Sequence, residues 1–210
     1  MSSLYLYAIV DAPPRGPLGS LKVVRAGGAH VVFDERGARV ANAANMKKHD
    51  QVVRRVARSC SAVLPFRFGS VVADRATLRS LLQPITPAIA RGLERVRDAT
   101  QFTLRVYGTP AKSPKPKKGE GPGTRFLTER LRKHQVPEIE PVTRATRELV
   151  RETQAQRHDR APLLASVYHL VARTDARRYR STLTKAMKEL RGVRIDVTGP
   201  WPPYAFAEVP

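Results

Sequence analysis

Three prolines fall within four positions near the C-terminus, in Val197-Thr198-Gly199-Pro200-Trp201-Pro202-Pro203-Tyr204-Ala205-Phe206. No helix runs through such a stretch, and no central strand accepts it, because proline lacks the N–H donor and fixes its own φ. The backbone there is held extended. The same segment carries the only tryptophan of the chain together with Tyr204 and Phe206. A stiff segment loses little entropy on docking, and Trp and Tyr each join a large apolar body to a polar tip. The tail therefore either packs across the fold that precedes it or is presented to a partner. Val193, Ile195 and Val197 alternate into it, so it is expected to seal the last strand of a second domain.

Charge excludes several classes. The chain holds 38 Lys and Arg against 18 Asp and Glu, a formal net charge of +20. Residues 1–106 carry 17 basic and 7 acidic groups and residues 107–210 carry 21 and 11, so each part nets +10. That even spread excludes a single basic arm and describes a surface that attracts acidic proteins, nucleic acid or anionic membranes. The lone Cys60 leaves no intrachain disulfide, in keeping with a cytosolic protein. No stretch approaches the roughly 18 apolar residues of a membrane span, and no signal segment precedes the apolar start.

The pattern of elements is α+β. Leu4 to Val10 is an unbroken apolar run of strand length, and Leu21–Ala26 with Ala29–Asp34 make a hairpin about Gly27-Gly28. A helix is expected from Asn45, with Met46, Val52, Val53, Val56 and Cys60 on its apolar face and His49 near the core edge. Ala62 to Phe68 reads as a strand interrupted by Pro65. Asp74 caps a short helix to Leu82, and Thr86-Pro87 opens another through Arg97. Phe102, Leu104 and Val106 alternate with polar neighbours as a half-exposed strand. Residues 108–123 contain four prolines, four lysines and four glycines, the composition of a linker or loop. Helices are expected over 125–135 and 142–156, then a strand over 163–173. A helix capped by Thr174-Asp175 follows, with core positions Tyr179, Leu183, Met187 and Leu190, and the final strand comes after Gly192. This predicts two small domains, 1–107 and 124–210, each a mainly antiparallel sheet with helices packed on it, the second carrying the tail.

Catalytic constellations are missing from the sequence. Gly119-Glu120-Gly121-Pro122-Gly123 beside Lys117-Lys118 lacks the buried strand before it and the Lys-Ser/Thr after it that a phosphate loop needs. The five histidines show no metal-ligand spacing with one another or with Cys60. His49 and Asp50 are adjacent on a helix and point apart. No catalytic, cofactor or metal residue is assigned, no cofactor is implied, and the chain is not read as an enzyme. The competing reading is a basic nucleic-acid-binding module built on a ferredoxin-like sheet. Its candidate platform is Phe66-Arg67-Phe68, where alternation sets the two rings on one face and Arg67 on the other.

Several segments together carry a family resemblance. Tyr5-Leu6-Tyr7-Ala8-Ile9-Val10, His49-Asp50-Gln51-Val52-Val53 and Leu64-Pro65-Phe66-Arg67-Phe68-Gly69 are followed by Phe102 to Val106. Then come Gly121-Pro122-Gly123 with Phe126, Leu127 and Arg130, Tyr168-His169-Leu170-Val171, and Thr198-Gly199-Pro200-Trp201-Pro202-Pro203-Tyr204. In this order they resemble the gas vesicle protein GvpF/GvpL family over essentially the full length. Ala8, Gln101, Ala172 and Ala205 stand where the family commonly has Gly, an acidic residue, Asp and Ser. The resemblance implies a non-enzymatic accessory protein of gas vesicles, cytoplasmic and vesicle-associated. It would bind the major shell protein and other accessory proteins during vesicle formation, and its second domain would be ferredoxin-like with extra helices. Phe66, Arg67, Phe68, Trp201, Tyr204 and Phe206 are the candidate structural or partner-contact residues.

Overall fold

The computed structural model describes residues 3–16, 19–109, 136–158 and 160–208. Residues 110–123 of the expected linker and the helix expected over 125–135 lie outside these. The chain divides into two compact units, Met1–Thr100 with Trp201–Pro210, and Gln101–Pro200. The sequence reading gave the tail to the second domain; the structure groups it with the first.

In the first unit, β1 (Leu4–Val10) pairs antiparallel with β3 (Ala29–Asp34) and β4 (Val63–Pro65), and β2 (Lys22–Ala26) adds beyond β3. The two-residue β5 (Val71–Val72) also pairs with β1. All seven residues of β1 are buried, so both faces of the sheet are covered. A bulge between Leu6 and Ala8 breaks strict alternation. It lets Tyr5, Tyr7, Ala8 and Val10 share one apolar cluster, which an unbroken strand would divide between two faces. α1 (Ala43–Ser59) closes that cluster with Val53 and Val56. Asn42 caps α1, its side-chain oxygen accepting from the Asn45 N–H at 2.8 Å. The inward stripe is His49, Val53, Val56 and then Cys60 at the helix end, whereas Met46 is 54% exposed in the first turn. Met46 therefore leaves the apolar face, and His49 takes its place.

α2 (Arg75–Leu82) starts as expected, with Asp74 accepting from the Thr77 N–H at 2.7 Å. α3 (Thr86–Arg95) has Thr86 inside its first turn, donating its hydroxyl to the Gln83 carbonyl at 2.9 Å, so Thr86 is not the side-chain cap. The hairpin between β2 and β3 turns through Gly27 at φ +57 and Gly28 at φ +73, as a two-residue primed turn requires. A Cβ on Gly27 would come within 2.8 Å of Ile89 Cδ1 and 3.0 Å of both Leu82 Cβ and the Leu82 carbonyl. Gly27→Ala is therefore expected to cost about 2 kcal/mol or more. An unshifted urea midpoint would disprove this.

The second unit runs β6 (Ala99–Gly108), α4 (Glu140–Thr146), β7 (Val150–Arg157), β8 (Leu163–Ala172), α5 (Ala176–Ala186) and β9 (Val193–Trp201). Its sheet order β7-β8-β6-β9 is the ferredoxin-like arrangement. Both units are thus α+β, sheets with helices packed on them. The helix expected over 142–156 is overturned in its second part. α4 ends at Thr146, a 3-10 turn covers Arg147–Leu149, and Val150–Arg157 is a strand antiparallel to β8. Its Arg, Glu and Gln residues favour a helix locally, but an available β8 edge decides the conformation, as tertiary context commonly does for strands. Asp175 sits at the start of α5 without a side-chain cap bond. The core gathers Phe102, Leu104 and Val106 from β6 with Ile139, Val142, Tyr179 and Leu183. Tyr179 lies against Phe102, ring centroids 4.6 Å apart, and its hydroxyl meets His169 Nδ1 at 2.7 Å.

Candidate functional site

All six candidate residues lie in the first unit; Phe66, Phe68, Trp201 and Tyr204 meet side chains of α1, whereas Arg67 pairs with Glu208 and Phe206 with Arg95. β4 stops at Pro65, and the strand expected to Phe68 does not continue. The Phe66 N–H still donates to the Tyr7 carbonyl at 2.9 Å, but Arg67 to Ser70 form a turn closed by the Ser70 N–H on the Arg67 carbonyl. Proline at the strand end supplies no donor to continue the ladder, so the chain bends there. Phe66 and Phe68 are half-buried. Phe68 packs edge-on against Tyr5 and His49, centroids 6.1 and 5.8 Å apart. Arg67 points outward, 85% exposed, and pairs with Glu208 at 2.6 Å. The Phe68 ring is taken up in this aromatic cluster and is not a flat platform for stacked bases.

His49 of α1 is the hub for the Phe66–Phe68 turn. It is buried, not at the core edge, and stacks on Tyr7 at 5.3 Å between centroids. Its Nε2 lies 3.1 Å from the Phe66 carbonyl and its Nδ1 2.9 Å from the Tyr5 hydroxyl. A carbonyl only accepts, so Nε2 carries the proton and the Tyr5 hydroxyl donates to Nδ1. Burial holds the imidazole below the ordinary histidine range, and the neutral form fits both bonds. His49 thereby fixes the Phe66–Phe68 turn to β1.

Asp50, the next residue, faces elsewhere. Its Oδ1 accepts from the Tyr204 hydroxyl at 3.1 Å and its Oδ2 from Arg54 Nε at 2.6 Å. The Arg54 guanidinium lies over the Trp201 ring, 3.8 Å from its centroid. Tyr204, Asp50, Arg54 and Trp201 thus form a closed chain of contacts that clasps the tail to α1. Burial, with the Asp50 carboxylate beside it, pushes the Tyr204 hydroxyl well above its usual range. The Trp201 carbonyl accepts from the Thr100 hydroxyl at 2.9 Å. Pro202 and Pro203 are buried, and Phe206, at 0% exposure, is in the core with its carbonyl accepting from Arg95. Sequence reasoning assigned the tail aromatics but missed Asp50 and Arg54, although their four-residue spacing on a helix was a readable signal. Arg54→Ala is expected to shift the emission of Trp201, the sole tryptophan, to longer wavelength and to raise its quenching by acrylamide. An unchanged spectrum would show that the cation over the ring does not shield it.

Along α1, and sharing Arg54 with the clasp, lies a depression of about 630 Å3, lined by Arg36, Arg39, Lys48, Arg54, Arg55 and Arg58 and, among the described residues, by a single carboxylate, Asp34. Arg39 is held in place, donating to the Tyr7 hydroxyl at 2.8 Å and to Asp34 Oδ2 at 2.9 Å, with its guanidinium over the Tyr5 ring. Cys60 is buried and its thiol donates weakly to the Ala12 carbonyl at 3.5 Å. Among the described residues, no group of three or more His, Cys, Asp or Glu side chains is placed to hold a metal ion. No helix among them is long and apolar enough to cross a membrane.

The described clusters are packing and ion-pair networks on a pair of α+β units, the second of them ferredoxin-like. The family model described as gas vesicle synthesis protein GvpL/GvpF matches residues 3–208, and the chain belongs to that family, whose members are accessory components of gas vesicles. It is similar to gas vesicle protein L of a Streptomyces strain, 26% identical over an alignment of 186 positions that covers 78% of this chain and 68% of the relative. Its fold matches the crystal structure of GvpF from Anabaena sp. PCC7120 with a TM-score of 0.76, at 19% identity, over 100% of this chain and 98% of the other. The crystal structure of GvpF from Microcystis aeruginosa matches with a TM-score of 0.75, at 15% identity, over 99% and 100%.

Proposed function

We propose that the protein binds the major shell protein and other accessory proteins while gas vesicles form in the cytoplasm, without catalysing a reaction. The observation that carries this reading is the family match over residues 3–208, which spans both units. The physical logic is that a wall-forming subunit must expose, before assembly, the apolar surface it later buries between copies. Such a surface aggregates unless something covers it. An accessory protein with a high net charge keeps the covered subunit soluble and is steered toward acidic partner surfaces.

Within that reading the tail is a structural clasp. Phe206 and the two buried prolines are used up inside the first unit, and Tyr204 and Trp201 are engaged by α1. The test uses the tagged full chain in a vesicle-forming host lacking its own copy. Vesicles should return with the intact chain, and shell protein should co-purify from a nuclease-treated lysate. If only nucleic acid is retained, the reading is wrong and the nucleic-acid alternative replaces it. Trp201→Ala should reduce vesicles together with protein stability; vesicle loss at unchanged melting would turn the clasp into a contact surface.

A further inference from the structure

The cationic depression shares only Arg54 with the contacts that hold the tail. α1 carries Lys47, Lys48, Arg54, Arg55 and Arg58 against one acidic residue, Asp50, and that carboxylate is engaged by Arg54 and Tyr204. Lys48, Gln51, Arg55 and Arg58 recur three and four residues apart, so they share one face, and all four are exposed. Arg36 and Arg39, following β3, line the same depression. Its one carboxylate, Asp34, is almost wholly buried and already accepts from the Arg36 N–H at 2.7 Å and from Arg39 at 2.9 Å. Asp34 therefore orients cations and leaves the rim positive.

We propose that this groove docks an acidic segment of a partner polypeptide, one with Asp or Glu side chains interspersed with apolar ones. Guanidinium groups present paired N–H donors that match carboxylate geometry, and cations converging on a concavity focus the field there. Half-buried Val52, beside the edge of buried Leu21, also lines the groove and gives it an apolar spot, which suits a side chain and not a phosphate backbone. The volume accommodates a few side chains, within the range of about 300–1,000 Å3 for small binding sites. Single-stranded nucleic acid is disfavoured because its binders stack bases on exposed aromatics. Among the described residues the one aromatic lining this groove, Tyr7, is 2% exposed with its hydroxyl taken by Arg39.

The inference rests on the reading of the chain as a protein-binding vesicle component, and its test separates the two. Fluorescence anisotropy of a labelled peptide of Glu-Glu-Leu repeats is measured with the full chain. The groove variant is Lys48→Glu/Arg55→Glu/Arg58→Glu. The control, Arg177→Glu/Arg178→Glu/Lys188→Glu, makes the same charge change on exposed positions of the second unit. The groove variant is expected to bind about tenfold or more weakly, and the control within about twofold of the parent. Equal losses in both would mean diffuse attraction and would overturn the proposal. So would displacement of the peptide by a single-stranded oligonucleotide of matched charge at a lower concentration than unlabelled peptide requires. If the reversed charges lower the melting temperature, the Lys48→Gln/Arg55→Gln/Arg58→Gln variant is held to the same direction of loss. Co-purification of vesicle proteins is scored separately. Its failure with peptide binding intact sinks the vesicle-protein reading alone, and the reverse result sinks the groove alone.

Discussion

Replacing Phe206 by alanine is expected to destabilise the first unit by about 3–5 kcal/mol, the largest loss from any single tail substitution. Phe206 has 0% exposure and sits in a 3-10 turn, Tyr204–Phe206, whose position is fixed by the Asp50 carboxylate on one side and Arg95 on the other. Removing the ring loses its transfer free energy and leaves a cavity that these anchors keep from collapsing. The loss is a large share of the roughly 5–15 kcal/mol that holds a typical domain. Trp201 belongs to the same unit, so urea denaturation followed by its emission reads the affected part of the molecule. A loss below about 1 kcal/mol would show that the tail merely rests on the surface.

The second large effect is a loss of stability in acid, traced to the second unit. His169 is 2% exposed and its Nδ1 shares a hydrogen bond with the Tyr179 hydroxyl, and burial pulls its pKa down to about 4 from 6.5. The folded state therefore resists protonation that the unfolded chain accepts. The stabilisation is complete above pH 6.5 and is lost as pH falls from there to about 4. It amounts to about 3 kcal/mol, at roughly 1.4 kcal/mol per pKa unit. His49 in the first unit is shifted in the same direction by burial and adds to the slope. Melting temperatures of the parent and of His169→Gln, taken at steps from pH 7.5 to 4, should converge toward the acid end. Parallel profiles would remove His169 as the cause.

The sequence revealed what local chemistry dictates. β1, the Gly27-Gly28 hairpin and the Asp74 cap were legible because each is specified by residues within a few positions of one another. The alternation of Phe102, Leu104 and Val106 was legible for the same reason. Val150–Arg157 was not, because its pairing with β8 is a non-local fact that outweighs the helix preference of its Arg and Glu residues. The tail aromatics were singled out by composition and Phe66-Arg67-Phe68 by alternation and motif, but the gathering of Phe66 and Phe68 about His49, and of Tyr204 and Trp201 about Asp50 and Arg54, was not legible. That gathering depends on a bulge in β1, on the bend after Pro65, and on the return of the chain to its first unit. The inward turn of His49 and the outward turn of Met46 follow from where Asn42 starts the helix, a matter of one or two positions.

Because the first unit is made of Met1–Thr100 and Trp201–Pro210, its two parts are separated by the whole of the second unit, Gln101–Pro200. On a growing chain, the sheet and α1 are synthesised well before Phe206, Tyr204 and the partner of Arg95. Domains generally fold as they are made, N-terminal part first. Here the earliest part to emerge is also the last to be completed. A chain broken anywhere in the second unit leaves the Phe206 cavity empty and Asp50 without its tyrosine. Truncated copies thereby carry a visible mark of incompleteness in their earliest-made segment, Met1–Thr100.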